Sequence, residues 1–295
     1  GARQAAGVMT AQIALLPDGR LHLQHGPIDC LCRAWGEPDE VQAAYRQAAG
    51  VFPRILPRLC EELPLLRTPL PAPRPLGAVA RAMHDACAPH EARFITPMAA
   101  VAGAVADHLL AALRAGRRLD RAYVNDGGDI AFHLAPDQTL RCGLVADLAA
   151  PALDGTLLLR ADHPARGLAT SGRACKGQGG RSFSFGIADA VTVLARTAAV
   201  ADAAATVIAN AVDLPGHKAI ARRPARDIDP DSDLGARAVT WQVGALTAVE
   251  IASALDAGAR LADALCAAGM IEGAVLALRG AFRVCGVPAA VLEAP

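Results

Sequence analysis

Short apolar runs, each closed by turn-forming residues, alternate with alanine-rich helical stretches in no regular strand–helix–strand rhythm. That interspersion constrains the chain more than any other feature. A doubly wound parallel sheet needs evenly spaced crossovers, whereas strands meeting at tight turns between scattered helices form a mixed layer. Residues 13–34 are broken at Asp18-Gly19 and at His25-Gly26-Pro27, which predicts two strands joined by turns. Residues 122–130 run into Gly127-Gly128, residues 140–145, 156–160 and 191–195 read as short strands, and residues 275–284 as a last strand. Helical spacing is expected over 40–63, as two short helices because Pro53 and Pro57 interrupt it, and over 76–87. A small-residue helix is predicted over 97–113, capped by Thr96 with Pro97 in first position. Alanine-rich helices are predicted over 198–212 and 247–268, the second opened by a Thr247–Glu250 capping box. The expected class is α+β, a mixed and mainly antiparallel sheet layered with helices.

With 295 residues, 53% of them hydrophobic, the chain can bury a large core without a disulfide or metal staple. Prolines at 64, 69, 71, 73 and 75 predict an extended surface connection. The 60-odd residues before it are too few to bury a core of their own, so residues 1–295 are expected to form one domain. Net charge is zero and only 20% of residues are charged, which excludes the basic face that a phosphate backbone demands; no nucleic-acid partner is expected. The longest apolar tract, residues 94–106, falls short of the roughly 20 residues that span a bilayer. Residues 1–16 lack an export-signal core followed by a cleavage site, and the eight cysteines are scattered, so buried free thiols and a cytoplasmic location are expected.

Several groupings carry chemistry or imitate it. Gly127-Gly128, flanked by Asn125, Asp126 and Asp129, suits either a tight turn or a backbone approached closely by a ligand. Thr170-Ser171-Gly172-Arg173 and the loop Lys176-Gly177-Gln178-Gly179-Gly180-Arg181-Ser182 can present amides and cations to an anion, as a solvated loop also would. Cys175 sits among Arg173, Lys176 and Arg181, whose charge favours its thiolate, and it is the candidate reactive thiol. Cys30 and Cys32 alternate to one face of a strand, which favours packing. His84, Cys87 and His90 are spaced by threes, but Pro89 interrupts the helix and no fourth ligand is near. Asp227, Asp229, Asp231 and Asp233 imitate a calcium loop in which Pro230 and Ser232 break the pattern, leaving a polar connecting loop.

Four segments in order, residues 94–107, 123–130, 169–172 and 188–206, together with His25-Gly26-Pro27-Ile28-Asp29 and Asn210-Ala211-Val212-Asp213, resemble the uncharacterised branch of the ApbE-like superfamily. The resemblance covers about residues 20–280. The better-known members are Mg-dependent enzymes that move FMN from FAD onto a threonine of a partner protein. What the resemblance implies here is an ApbE-like fold, a flavin or other nucleotide cradled by Asn125, Gly127, Gly128, Asp129, Thr170, Ser171 and Gly172, and Mg²⁺ held by Asp202 and Thr206. Being four apart on a helix, Asp202 and Thr206 share a side. Two transferase features are missing: a lysine in the helix before the Gly-Gly strand, and a His with Asp-Pro-x-x-Gly after the Thr-Ser-Gly. The resemblance therefore implies a phosphate-bearing ligand with a divalent cation more directly than flavin transfer. A second reading is a thiol-bearing carrier or accessory protein in sulfur assimilation, with Cys175 as working residue. Small-residue helices on a largely apolar chain are compatible with a homodimer.

Overall fold

In the computed structural model, residues 10–144, 155–172, 183–286 and 292–293 are described. The strands are β1 (Gln12–Leu15), β2 (Leu21–His25), β3 (Ile28–Trp35), β4 (Arg121–Asp126), β5 (Asp129–Leu134), β6 (Thr139–Leu144), β7 (Gly155–Arg160), β8 (Gly167–Ser171), β9 (Ala190–Ala195), β10 (Ile220–Pro224), β11 (Ala238–Val243), β12 (Gly273–Leu278), β13 (Ala281–Cys285) and β14 (Leu292–Glu293). The helices are α1 (Pro38–Val51), α2 (Ile55–Glu61), α3 (Leu63–Leu66), α4 (Ala78–Cys87), α5 (Val101–Arg114), α6 (Ala198–Ala211), α7 (Ala225–Ile228) and α8 (Ala248–Ala267).

Nine strands form one sheet in the order β1-β2-β3-β4-β5-β8-β9-β12-β13, and every pairing described in it is antiparallel. The predicted α+β class holds. Two-residue turns account for the antiparallel pairs β2–β3, β4–β5 and β12–β13, because so short a connection can only reverse the chain. Alternation sets the two faces. On β3, Cys30, Cys32 and Ala34 are buried while Asp29, Leu31, Arg33 and Trp35 face the other way. The inward set joins α1, α4, α5, α6 and α8 in the main core, where Leu109, Leu113, Ile208 and Leu255 are fully enclosed. Each such side chain contributes about 1.5–3 kcal/mol of transfer free energy. On the opposite face Phe132, Leu134, Leu168 and Leu194 pack with Leu157 and Leu159 of the three-stranded sheet β14-β7-β6 to form a second, smaller core.

Several expectations change. Residues 13–34 form three strands, since both breaks are hairpin turns and each flanking run pairs. The expected last strand is the hairpin β12–β13, turned at Arg279 and Gly280, both with positive φ. The first of the two short helices is a full 14-residue α1, because Pro53 falls beyond its end, in a 3-10 turn over Phe52–Arg54. The proline-rich connection is not purely extended or superficial: Leu63–Leu66 make a helical turn, and Leu66 and Leu70 are buried in the main core. Thr96 does not cap a helix with its side chain; Pro97–Ala100 form a 3-10 turn, and the Thr96 hydroxyl donates to Asp233 instead. The pair β10–β11 adds two strands beyond those the sequence predicts, β10 being short and carrying Arg222 and Arg223 in place of an apolar run. The capping box at α8 forms as expected: Glu250 N–H donates to Thr247 Oγ1 at 3.3 Å and Thr247 N–H to Glu250 Oε2 at 2.7 Å.

Candidate functional site

The site is built where the β4–β5 hairpin meets the start of α6. Register pairs Asp126 with Asp129 across a two-residue turn. Gly127 and Gly128 have φ of 62° and 108°, and such a hairpin turn needs positive φ at both positions, so glycine answers to backbone geometry here. A Cβ at either would meet nothing within 4 Å, so the turn faces open space. Asn125 Oδ1 accepts the Gly128 N–H at 2.8 Å and thereby locks the turn.

Beside this turn lie three carboxyl groups. Asp129 Oδ1 accepts the Thr170 N–H at 3.1 Å, and its carboxyl lies close enough to that of Asp202 for each to act on the other's charge. Asp202 Oδ2 also accepts the Gly103 N–H at 3.1 Å, tying α6 to α5. Asp126 receives the Asp29 N–H at 3.4 Å and a bond from the Cys30 thiol. Burial pushes the Asp126 carboxyl up to about 7, with Asp29 adding repulsion. Burial and mutual repulsion likewise raise Asp129 and Asp202, because two neighbouring carboxylates withdrawn from water disfavour each other's charge. One turn along α6 from Asp202 stands Thr206, partly buried, and a further turn along stands Asn210, whose Oδ1 accepts the Ser184 hydroxyl at 3.0 Å and the Phe185 N–H at 2.9 Å.

The structure thus brings Asp202, Asp129, Gly128 and Thr170 together. Thr170 Oγ1 bonds Thr192 Oγ1 at 2.9 Å, and Ser171 ends β8 on its half-buried face. Gly172 packs against strand β9, where a Cβ would lie 2.3 Å from the Asp189 carbonyl oxygen, so sheet packing alone requires it. Asp107, part of the first resembling segment, caps α6 from outside: its oxygens accept the Ala198 and Ala199 N–H groups at 3.0 and 2.9 Å. Burial still holds that carboxyl up at about 6. Cys175 and its cationic loop lie outside the described residues.

Asp126 was noted in the sequence only as a flanking polar group. Its parity with the inward Ala122 and Val124 is the signal that assigns it to the buried face. Cys30 and Cys32 face the same side, fully buried, as alternation predicted. Cys60 corrects the expectation of buried thiols, since it is exposed on α2. His84 Nε2 donates to the Ala72 carbonyl at 3.0 Å, and among the described residues no three His, Cys, Asp or Glu side chains are arranged to hold a metal ion. Mg²⁺ does not require such a trio. It takes one or two carboxylates, keeps waters and completes its shell with ligand phosphates. Hard oxygen donors from Asp129, Asp202 and the nearby Thr206 fit that chemistry, and the repulsion between the two buried carboxyls is what a cation would neutralise.

An antiparallel sheet backed by a helix layer, with a carboxyl pair between a Gly-Gly hairpin and a central helix, defines an ApbE-like α+β protein. The chain belongs to the family described as AbpE bacteria, whose model matches residues 13–284. It is similar to UPF0280 proteins of archaea: 41% identical over 121 residues to that of Methanothrix thermoacetophila, covering 40% of this chain and 46% of the relative, and 33% identical over 156 residues to that of Methanoregula boonei, covering 50% and 60%. The match spans about half the length of these relatives. Among solved structures it is similar to a flavin transferase ApbE from Vibrio cholerae, with 12% identity, a TM-score of 0.39, and 90% of this chain and 96% of that one covered. An ApbE protein from Thermotoga maritima matches at 13% identity and a TM-score of 0.37, covering 85% and 77%. No helix among the described residues is long and apolar enough to cross a membrane.

Proposed function

We propose that this protein binds a phosphate-bearing ligand, a flavin or another nucleotide, through a divalent cation held at Asp202 and Thr206 against the Gly127-Gly128 turn and Thr170-Ser171. The observation that carries the reading is the buried, mutually repelling Asp129–Asp202 carboxyl pair beside an open backbone turn. A buried carboxyl pair whose mutual repulsion disfavours its charged form is stabilised when a cation neutralises it, and the cation in turn recruits phosphate oxygens. When bound, Mg²⁺ would supply charge neutralisation for the phosphates. Asp202 and Asp129 would hold it, Thr206 would add a hydroxyl, and the turn would leave room for the ligand.

Family membership supports this reading, since the fold's better-studied relatives include a flavin transferase. The missing lysine and Asp-Pro-x-x-Gly argue against assigning the transfer step itself to this chain. Thermal unfolding with FAD, FMN, ADP and ATP, each with and without Mg²⁺, tests the proposal. The expected result is a rise in Tm that needs both Mg²⁺ and a phosphate ligand and is lost in Asp202→Ala. Equal shifts in wild type and Asp202→Ala, or none with any of these ligands, would overturn it.

A further inference from the structure

A cavity of about 320 Å³ opens at the other end of β3, between the β1–β2 turn and the first turns of α1. Trp35 there lies five residues along β3 from Cys30, about 17 Å at roughly 3.3 Å per residue, so this cavity is separate from the carboxyl pair. Its size stands at the lower end of small-molecule sites, which start near 300 Å³.

Its lining combines one arginine and one aspartate with an apolar wall. Leu15 is 57% exposed at the rim, Val41 and Trp35 line the cavity, and the exposed Gln42 borders it on α1. Tyr45 is spent on the framework: its hydroxyl donates to the Gly19 carbonyl at 2.9 Å and accepts the Ala34 N–H at 3.2 Å. Two guanidiniums stand over the Trp35 ring, Arg33 at 4.9 Å and Arg121 at 4.3 Å from its centroid. The one carboxylate in the lining, Asp18, is engaged by Arg20, which donates through Nε at 2.7 Å and through its backbone N–H at 3.1 Å. Asp18 feels Arg33 only through space. Arg33 has no carboxylate within ion-pair distance among the described residues, and Arg121 gives its guanidinium to the Thr139 carbonyl at 3.1 Å. With Asp18 engaged by Arg20, Arg33 is the lining cation left without an ion-pair partner among the described residues.

We infer that this cavity is a second ligand site, for a small monocarboxylate with an apolar body, whose carboxylate pairs with the Arg33 guanidinium while its hydrocarbon lies against Leu15, Val41 and Trp35. Arginine suits that role because its planar fork meets a carboxylate through two parallel hydrogen bonds. The apolar wall excludes water from the pair and distinguishes such a ligand from a bare inorganic anion.

The test uses tryptophan emission. The chain has two tryptophans, and Trp241 is 45% exposed, so Trp241→Phe in the 295-residue chain leaves Trp35 as the reporter. Titration with phenylacetate and with hexanoate is expected to change Trp35 emission saturably, while phenylacetamide, the uncharged isostere, binds at least tenfold more weakly. Arg33→Gln should weaken phenylacetate at least tenfold. Gln42→Glu, a change on an exposed helix surface that places a negative charge at the cavity, should also weaken it, which keeps the test valid should Arg33→Gln unfold. Equal binding of phenylacetate and phenylacetamide, unchanged affinity in both variants, or no saturable change up to 50-fold above a roughly millimolar dissociation constant would overturn the inference. None of these outcomes bears on Asp202.

Discussion

Gly103 and Asp202 join the two central helices by one hydrogen bond and one steric condition. The Gly103 N–H donates to the Asp202 carboxylate at 3.1 Å, and a Cβ at Gly103 would sit 2.3 Å from the Ala198 carbonyl oxygen. The closeness of α5 and α6 and the position of the site carboxylate are thus one packing arrangement. Helices this close bring the α6 backbone within reach of the Asp107 cap as well.

Gly103→Ala should therefore lower stability by about 1–3 kcal/mol through overpacking, because backbone cannot yield as a flexible side chain does. Urea unfolding would show a lower midpoint with an unchanged slope. The same variant should lose the Mg²⁺-dependent ligand response, since Asp202 moves with its helix. Wild-type stability in Gly103→Ala would contradict the close approach.

The buried Asp126 makes stability depend on pH. Its folded pKa, about 7, lies above its unfolded value near 3.8, so between these the folded state holds a proton that the unfolded state has released. Stability consequently falls as pH rises through that window and levels off above about 7. Histidines 90, 108 and 133, held below their ordinary value by burial, act in the opposite sense up to about pH 6.5, so absolute curves mix both effects. The comparison that isolates Asp126 is with Asp126→Asn in metal-free buffer. The variant should gain stability over wild type from pH 4 to 7, by at most about 1.4 kcal/mol per pH unit, as measured by urea unfolding. A constant difference across that range would show that Asp126 does not titrate there.

At the start of α8 the sign reverses. Glu250 accepts the Thr247 N–H and pairs with His217 at 2.9 Å, and these bonds hold its carboxyl down at about 2. Its contribution is complete above about 4.5 and is lost as pH falls towards 2. Unfolding curves of wild type and Glu250→Gln should differ at pH 6 and converge near pH 2. Thr247→Ala, which removes the hydroxyl acceptor of the same cap, should cost about 1 kcal/mol at neutral pH.

Thiol chemistry provides an independent check on the core. Cys60 is exposed, whereas Cys30, Cys32 and Cys87 are fully buried and burial raises their pKa, that of Cys32 to about 12. Brief iodoacetamide treatment followed by peptide mapping should label Cys60 and leave those three untouched until denaturant is added. Labelling of Cys30 or Cys32 at the rate of Cys60 would contradict the packing of β3.

Local chemistry was legible in the sequence wherever a few neighbouring residues decide the outcome. The Thr247–Glu250 cap, the Gly127-Gly128 turn, the common face of Cys30 and Cys32, and the shared side of Asp202 and Thr206 depend on spacings of one to four residues, and backbone geometry alone sets them. Tertiary structure decided what spacing cannot carry. Leu66 reads as part of a proline-rich surface run, yet it is buried because the core has room for it. Thr96 reads as a helix cap, yet its hydroxyl goes to Asp233, 137 residues away. Asp107 reads as a helix residue, yet it caps a different helix 91 residues on. The pairing of Asp129 with Asp202 joins a hairpin to a helix far along the chain, and its energetics arise from burial and like charge. Hydrogen-bond partners and desolvation are properties of the packed molecule, so the sequence by itself determined the residue types and local turns, and only the fold decided which carboxyls meet.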